Sequence, residues 1–405
     1  MAMKVDAVRL EQSMEARHLD EKQWTKVRNS ILFVFLASAT ASAIGFATDT
    51  KSAHFSWLLA VVYFTTIGLG ALFFTMIQYL TGSAWSVSVR RFMEAIASTL
   101  PAAALLFVPV ALGLHDLYEW THKEVVANDE LLKAKAGYLN ENFFLIRAAA
   151  YFLIWSLWSL RLFRNSVKQD TTRSLDQMNT ASRWSAPGLF LITVTGTLAS
   201  FDWVMSLYPH WYSTIFGLYV MTGGAWSFFA VLVLIAVALR KANVLKFSIN
   251  IEHYHDLGKW MFALTVFWAY IAFSQYLLIW YANLPEETYY YKDRFAGNWV
   301  YLSIFLLFGH FVFPFLLLLP RAMKRNLSVL TFAAVWFLLC HFVDLYWMIM
   351  PAKNKDYWSL HWMDIAAWAA VGSAIALVFW LRLKKNALMP VGDPRFEQGL
   401  RFHNI

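Results

Sequence analysis

The run Phe55-Ser-Trp-Leu-Leu-Ala-Val-Val-Tyr-Phe-Thr-Thr-Ile-Gly-Leu-Gly-Ala-Leu-Phe-Phe-Thr-Met-Ile-Gln-Tyr-Leu80 contains no acid, no base and no proline. A helix must offer about 20 mostly apolar residues to cross roughly 30 Å of hydrocarbon, where each unpaired backbone group costs several kcal/mol. This stretch meets that length. Nine more runs of the same kind lie at 30–48, 95–114, 143–163, 187–208, 212–239, 260–283, 299–319, 327–350 and 360–381. The pattern predicts an all-α integral membrane protein with about ten transmembrane helices.

Composition agrees. The chain is 59% hydrophobic, 18% aromatic and only 15% charged, outside the range of ordinary soluble domains. Its Trp and Tyr content suits membrane–water interfaces. The net charge of +8 does not point to nucleic acid, because the basic residues fall mostly between the apolar runs. The single cysteine, Cys340, sits inside a run. The chain therefore has no internal disulfide, no cysteine-ligated iron–sulfur cluster and no CxxCH haem attachment.

Cytoplasmic loops retain Lys and Arg. The two ends and the loops after even-numbered runs hold 25 of the 34 basic residues, with Arg161 counted in the loop that follows it. Both termini are thus expected to face the cytoplasm. Charged residues before the first run make a cleaved signal peptide the weaker reading; residues 11–28 read as a short amphipathic segment. The loop 115–142, expected outside, is acidic, and reads as a solvated loop or a docking surface for another subunit.

The fifth run closes with Asp202 seven residues before Pro209, and the ninth with Asp344 seven residues before Pro351. The fourth opens with Asn142-Phe143 and the eighth with Asn298-Trp299. The expected organisation is a cytoplasmic segment (1–29), a first helix (30–54), two parallel four-helix repeats (55–211 and 212–351), a tenth helix (352–381) and a cytoplasmic tail (382–405).

Ionisable side chains inside spans are costly and usually mark a path for ions or substrate. Asp202 and Asp344 lead the candidates. His341 lies one turn before Asp344 on the same face, where an imidazole can share a proton with the carboxylate. His310 lies in mid-span, four residues before Pro314, a proline expected to free a carbonyl and kink the helix. Ser274, Gln275, Thr193, Thr195, Thr197 and Ser200 could support a chain of water, although such hydroxyls commonly bond their own backbone. Arg147 reads as snorkelling or pairing with a loop acid. His310 with His341 is the only internal pair suited to bis-His haem, and HExxH is absent. In His253-Tyr-His255-Asp256, Asp256 reads as a helix cap and His255 as interfacial rather than metal-binding.

Two stretches are more particular: Ser200-Phe-Asp-Trp-Val-Met-Ser-Leu-Tyr-Pro-His-Trp-Tyr-Ser-Thr-Ile-Phe-Gly217, and the helix running from His253-Tyr-His-Asp-Leu-Gly-Lys-Trp through Phe273-Ser-Gln-Tyr to Glu287. Both resemble the ActF family, the shorter of two NrfD/PsrC-like membrane subunits of bacterial alternative complex III. The resemblance implies two four-helix bundles and residence in the bacterial inner membrane. It implies a subunit of a quinol:electron-acceptor oxidoreductase in a respiratory or photosynthetic chain, with menaquinone or ubiquinone as the substrate of the complex. The implied partners are lipids, a sister subunit (ActC) that oxidises quinol, an iron–sulfur subunit, multihaem cytochrome c subunits and, in some complexes, a terminal oxidase. Haem c and iron–sulfur clusters then belong to those subunits, with no cofactor on this chain. The family motif maps onto Asp202, His210, His255, Asp256, Ser274 and Gln275, and the family carries a suspected proton route. The competing expectations are an ion-coupled secondary transporter and a structural scaffold.

Overall fold

The computed structural model describes residues 18–246 and 248–404. These form helices and connecting turns, with no strand among them. Ten helices are long and apolar enough to cross a membrane: α1 (Glu21–Thr48), α2 (Thr50–Leu80), α3 (Val87–Leu112), α4 (Glu141–Thr172), α5 (Leu175–Leu207), α6 (Phe216–Lys241), α7 (Ile251–Ala282), α8 (Trp299–Leu318), α9 (Leu327–Ala352) and α10 (Trp362–Lys385). The chain is an all-α, multi-pass membrane protein.

Polar caps set where several helices start. Asn140 accepts from the Phe143 N–H at α4, Ser174 from Asp176 at α5, and Asn326 from Ser328 and Val329 at α9. Each satisfies backbone donors that the first turn of the helix leaves unpaired. Asn250 does the same for α7, accepting from Glu252 and His253. This corrects the expected cap at Asp256, which lies in the second turn of α7 and bonds instead to Lys259 and Asn404. The apolar run starts nine residues later than the helix, because α7 buries its polar first turns against other protein.

Other boundaries move as well. Helix α1 is continuous from Glu21, so no separate amphipathic helix covers 21–28; residues 11–17 of that expected segment lie outside the described residues. Helices α4 and α5 overrun their apolar runs into the turn at Arg173, whose φ of 50° is left-handed. Helix α3 is broken at Thr99 and Phe107, each near the start of a segment bearing Pro101 or Pro109, since proline supplies no N–H. A helix at Pro285–Phe295, between α7 and α8, was not expected; it is too polar for a hydropathy reading to find.

Helices α2 and α6 form the centre, with 89% and 78% of their most apolar windows buried, against 17% for α1 and 22% for α8. Their backbones touch. A Cβ on Gly70 would lie 2.8 Å from Ala225 Cα, and one on Gly224 would lie 2.5 Å from the Thr66 carbonyl oxygen. Small residues at such crossings permit the close van der Waals contact that holds helices together in lipid. Around this axis, α2, α3, α4 and α5 pack in a closed ring, and α6, α7, α8 and α9 form another. Helix α1 lies along α10, which rests on α2.

Residues 386–404 fold back across the end of the molecule where α1 begins and α10 stops. Asp393 pairs with the buried Arg90 of α3, and Arg91 donates to the Ala387 carbonyl. Further on, Asn404 donates to Asp256 and Glu252 of α7. One segment thereby straps both rings.

Candidate functional site

The two acids singled out by the sequence occupy different surroundings. Asp202 on α5 is bound by Arg147 of α4 through Nε at 2.8 Å and Nη2 at 2.9 Å, and Tyr151 donates to it at 2.9 Å. Arg147 also donates to the Tyr138 carbonyl, with its guanidinium 3.8 Å from the Tyr138 ring centre. Arg147 therefore turns inward rather than snorkelling or pairing with a loop acid. A two-point Arg–carboxylate fork is among the stronger ion pairs available to a protein. It leaves Asp202 with a fixed counter-ion.

Asp344 on α9 has no such partner. It is fully buried. Tyr219 of α6 donates to Oδ1 at 2.7 Å and Trp268 of α7 donates to Oδ2 at 3.0 Å. The nearest basic group is His310 Nε2, 3.9 Å from Oδ2, beyond hydrogen-bond reach. His310 is stacked between Trp226 and Trp268, with ring centres 4.2 and 3.7 Å away. Trp226 leans in turn on Phe337 at 3.7 Å. Both ring nitrogens of His310 are buried without a hydrogen-bond partner in the protein. Both faces of the His310 ring are thus covered by indole.

The stretch of α8 that carries His310, Leu306–Val312, is a π-helix, followed by Pro314. The backbone irregularity here is a wider, π-helical turn, a feature frequent at functional positions.

His341 lies close by on α9, with Nε2 3.2 Å from Thr66 Oγ1 of α2. The Thr66 hydroxyl also lies within hydrogen-bond reach of the Val62 and Tyr63 carbonyls. The other ring nitrogen, Nδ1, is buried without a hydrogen-bond partner in the protein. That nitrogen faces Gly223, where a Cβ would lie 3.0 Å from Nδ1 and 3.6 Å from Asp344 Oδ2. Glycine here is what leaves room for the acid and the imidazole together.

Tyr219 and Trp268 also line an apolar cavity of about 440 Å³ between α7, α8 and the helix Pro285–Phe295, walled further by Tyr276, Tyr291, Phe311 and Trp347. Gln275 stands nearby: its Oε1 accepts from Ser213 and its Nε2 donates to Tyr291. Burial raises the Tyr291 hydroxyl to about 12.

The remaining candidates scatter. Ser274 is half-buried, and Thr193, Thr195 and Ser200 each bond their own helix backbone. His210 pairs with Asp129 of the acidic loop at 2.5 Å, and hydrogen bonds from Leu132 and His210 lower the Asp129 carboxyl below the usual range. His255 and Asp256 contact Asn404 at the strapped end, far along α7 from Gln275.

One buried cluster escaped the sequence reading. Glu94 of α3 accepts from Tyr79 at 2.6 Å and lies 3.3 Å from Arg90 and 3.5 Å from Arg91, while Nη2 of Arg91 donates to both carboxylate oxygens of Asp170. It was legible only as the spacing Arg90-Arg91-x-x-Glu94, which puts all three near one helical face. The partners Tyr219, Trp226 and Trp268 carried no such signal in a chain this aromatic.

Among the described residues no group of three or more His, Cys, Asp or Glu side chains could hold a metal ion. No known family model matches the chain, and no curated protein matches it. Fold and geometry define the class: a multi-pass helical membrane protein with a buried carboxylate–imidazole cluster.

Proposed function

We propose that this chain is the shorter NrfD-like membrane subunit of an alternative complex III, a quinol:electron-acceptor oxidoreductase of the bacterial inner membrane, and that Asp344, His310 and His341 handle protons within it. The observation that carries the proton role is the contrast between the two acids. Asp202 is neutralised by Arg147, whereas Asp344 faces only a phenol, an indole and a nearby imidazole. An intramembrane carboxylate without a fixed cation is a group that can exchange a proton.

The two closed rings, with Asp202 and Asp344 at like positions on α5 and α9, support the reading as two parallel four-helix repeats flanked by α1 and α10. Both ends of the chain then lie on the cytoplasmic side, and the cluster lies in the outer half of the membrane. The aromatic cavity beside Tyr219 and Trp268 gives a lipid-soluble substrate or a sister subunit a surface next to Asp344. Quinol oxidation itself is assigned to that sister subunit, with haem c and iron–sulfur centres on further partners.

Purification through a tag on this chain in mild detergent tests the assembly. Co-purification of a multihaem cytochrome, an iron–sulfur protein and a second NrfD-like chain supports the proposal; a lone colourless protein overturns it. The π-helical turn of α8 gives the transporter reading its own support, because irregular helices line substrate sites in transporters. Solute-driven proton uptake into vesicles holding this chain alone would favour that reading.

A further inference from the structure

A second site lies at the strapped end, between the close of α6 and the start of α9. This groove has a volume of about 670 Å³. Its floor includes Val237, Phe332 and Val335, and its rim carries Arg240, Lys241 and Lys246. No carboxylate lines it.

The rim is built rather than incidental. Arg240 donates to the carbonyls of Lys246 and Ile249, folding the loop back over the end of α6. Asn243 and Leu245 hold φ values of 59° and 54°, a region sparsely populated by residues other than glycine. Val244 and Leu245 are buried, which anchors the loop. Phe332 and Val335 stay 51% and 55% exposed, and on a membrane-spanning helix such side chains face lipid. Apolar floor and basic rim meet where α6, a helix long and apolar enough to cross a membrane, ends.

We infer that this groove binds one anionic diacyl phospholipid, its phosphate held by Lys241 and Lys246 and its acyl chains laid over Val237, Phe332 and Val335. The argument is charge complementarity combined with depth. A soluble anion would need only the rim, and a zwitterionic lipid would carry its own cation against three basic side chains. Basic pockets between helices recognise acidic head groups in this way. The basic face of α4 supplies an internal comparison: Arg161, Arg164 and Lys168 also border a depression, but every residue lining it belongs to that one helix. It has charge without a second wall.

The test is native mass spectrometry of the detergent-purified protein titrated with phosphatidylglycerol and, separately, phosphatidylcholine. The wild-type chain is expected to retain one phosphatidylglycerol in preference to phosphatidylcholine. K241Q/K246Q should weaken that binding about twenty-five-fold, given about fivefold per basic side chain near an acidic head group. Val335→Trp, which fills the floor and spares the lysines, should weaken it as well. R164Q/K168Q should leave it unchanged. Equal retention by K241Q/K246Q, an equal loss in R164Q/K168Q, or equal affinity for phosphatidylcholine would overturn the assignment.

Discussion

Asp202 and Asp344 are the same residue type at the same distance from a helix-closing proline, yet their partners make them opposites. Removing one member of a buried ion pair strands the other, at about 3–5 kcal/mol. Asp202→Asn is therefore expected to lower the thermal midpoint of the detergent-solubilised protein sharply, and R147A to do the same. Asp344→Asn keeps an acceptor for Tyr219 or Trp268 and strands no cation. It should assemble normally but abolish or slow proton movement in reconstituted vesicles; unchanged proton movement would remove Asp344 from the path. Gly223→Ala places a methyl 3.0 Å from His341 Nδ1. It should preserve folding while shifting the pH profile of turnover, and an unaltered profile would argue that His341 only fills space.

Helices in lipid cannot rely on hydrophobic exclusion from water, so their crossings depend on how closely backbones approach. At the α2–α6 crossing a Cβ on Gly224 would lie only 2.5 Å from the Thr66 carbonyl oxygen. Backbone cannot move aside as a side chain can. Gly224→Ala should cost about 2 kcal/mol or more, in the range of overpacked cores, read as a lower thermal midpoint. Gly137, with no atom within 4 Å of its Cβ position, provides the control. Because Thr66 also holds His341, spreading this crossing should disturb the proton cluster too.

Across the whole molecule, the segment after α10 ties both rings together through buried charge. Arg90 and Asp393 are each almost wholly buried, so the strap supplies, alongside Glu94, a counter-ion for a cation fixed in α3. Burial works against the Asp393 carboxylate, but Arg90 and Arg395 outweigh it and hold the group below the usual carboxylate range. A carboxyl whose folded value is depressed stabilises the fold at neutral pH, and the contribution drains away as pH falls below about 4. Limited proteolysis of residues 386–404 should accordingly accelerate on acidification below that point, and Asp393→Asn should be cleaved rapidly at pH 7. Equal cleavage of wild type and variant at pH 7 would show that the strap is held elsewhere, for example by Asn404 at α7.

The number of spanning helices and their approximate places were legible in sequence, because hydrocarbon demands long apolar runs and leaves little freedom in reading them. Helix ends were less legible: α7 starts with polar turns buried against other protein, while α4 and α5 run past their apolar stretches in polar turns that stay mostly exposed or half-buried, and hydropathy registers both as loop. The candidate acids and histidines were visible for the same reason as the spans, since ionisable groups stand out against an apolar background. Their roles were not. Arg147 and Asp202 lie 55 positions apart and Tyr219 and Asp344 lie 125 apart, so neither pairing has a local pattern to announce it. Cost in lipid is a property of one residue, and sequence shows it; neutralisation is a property of two residues brought together, and only the tertiary structure decides it.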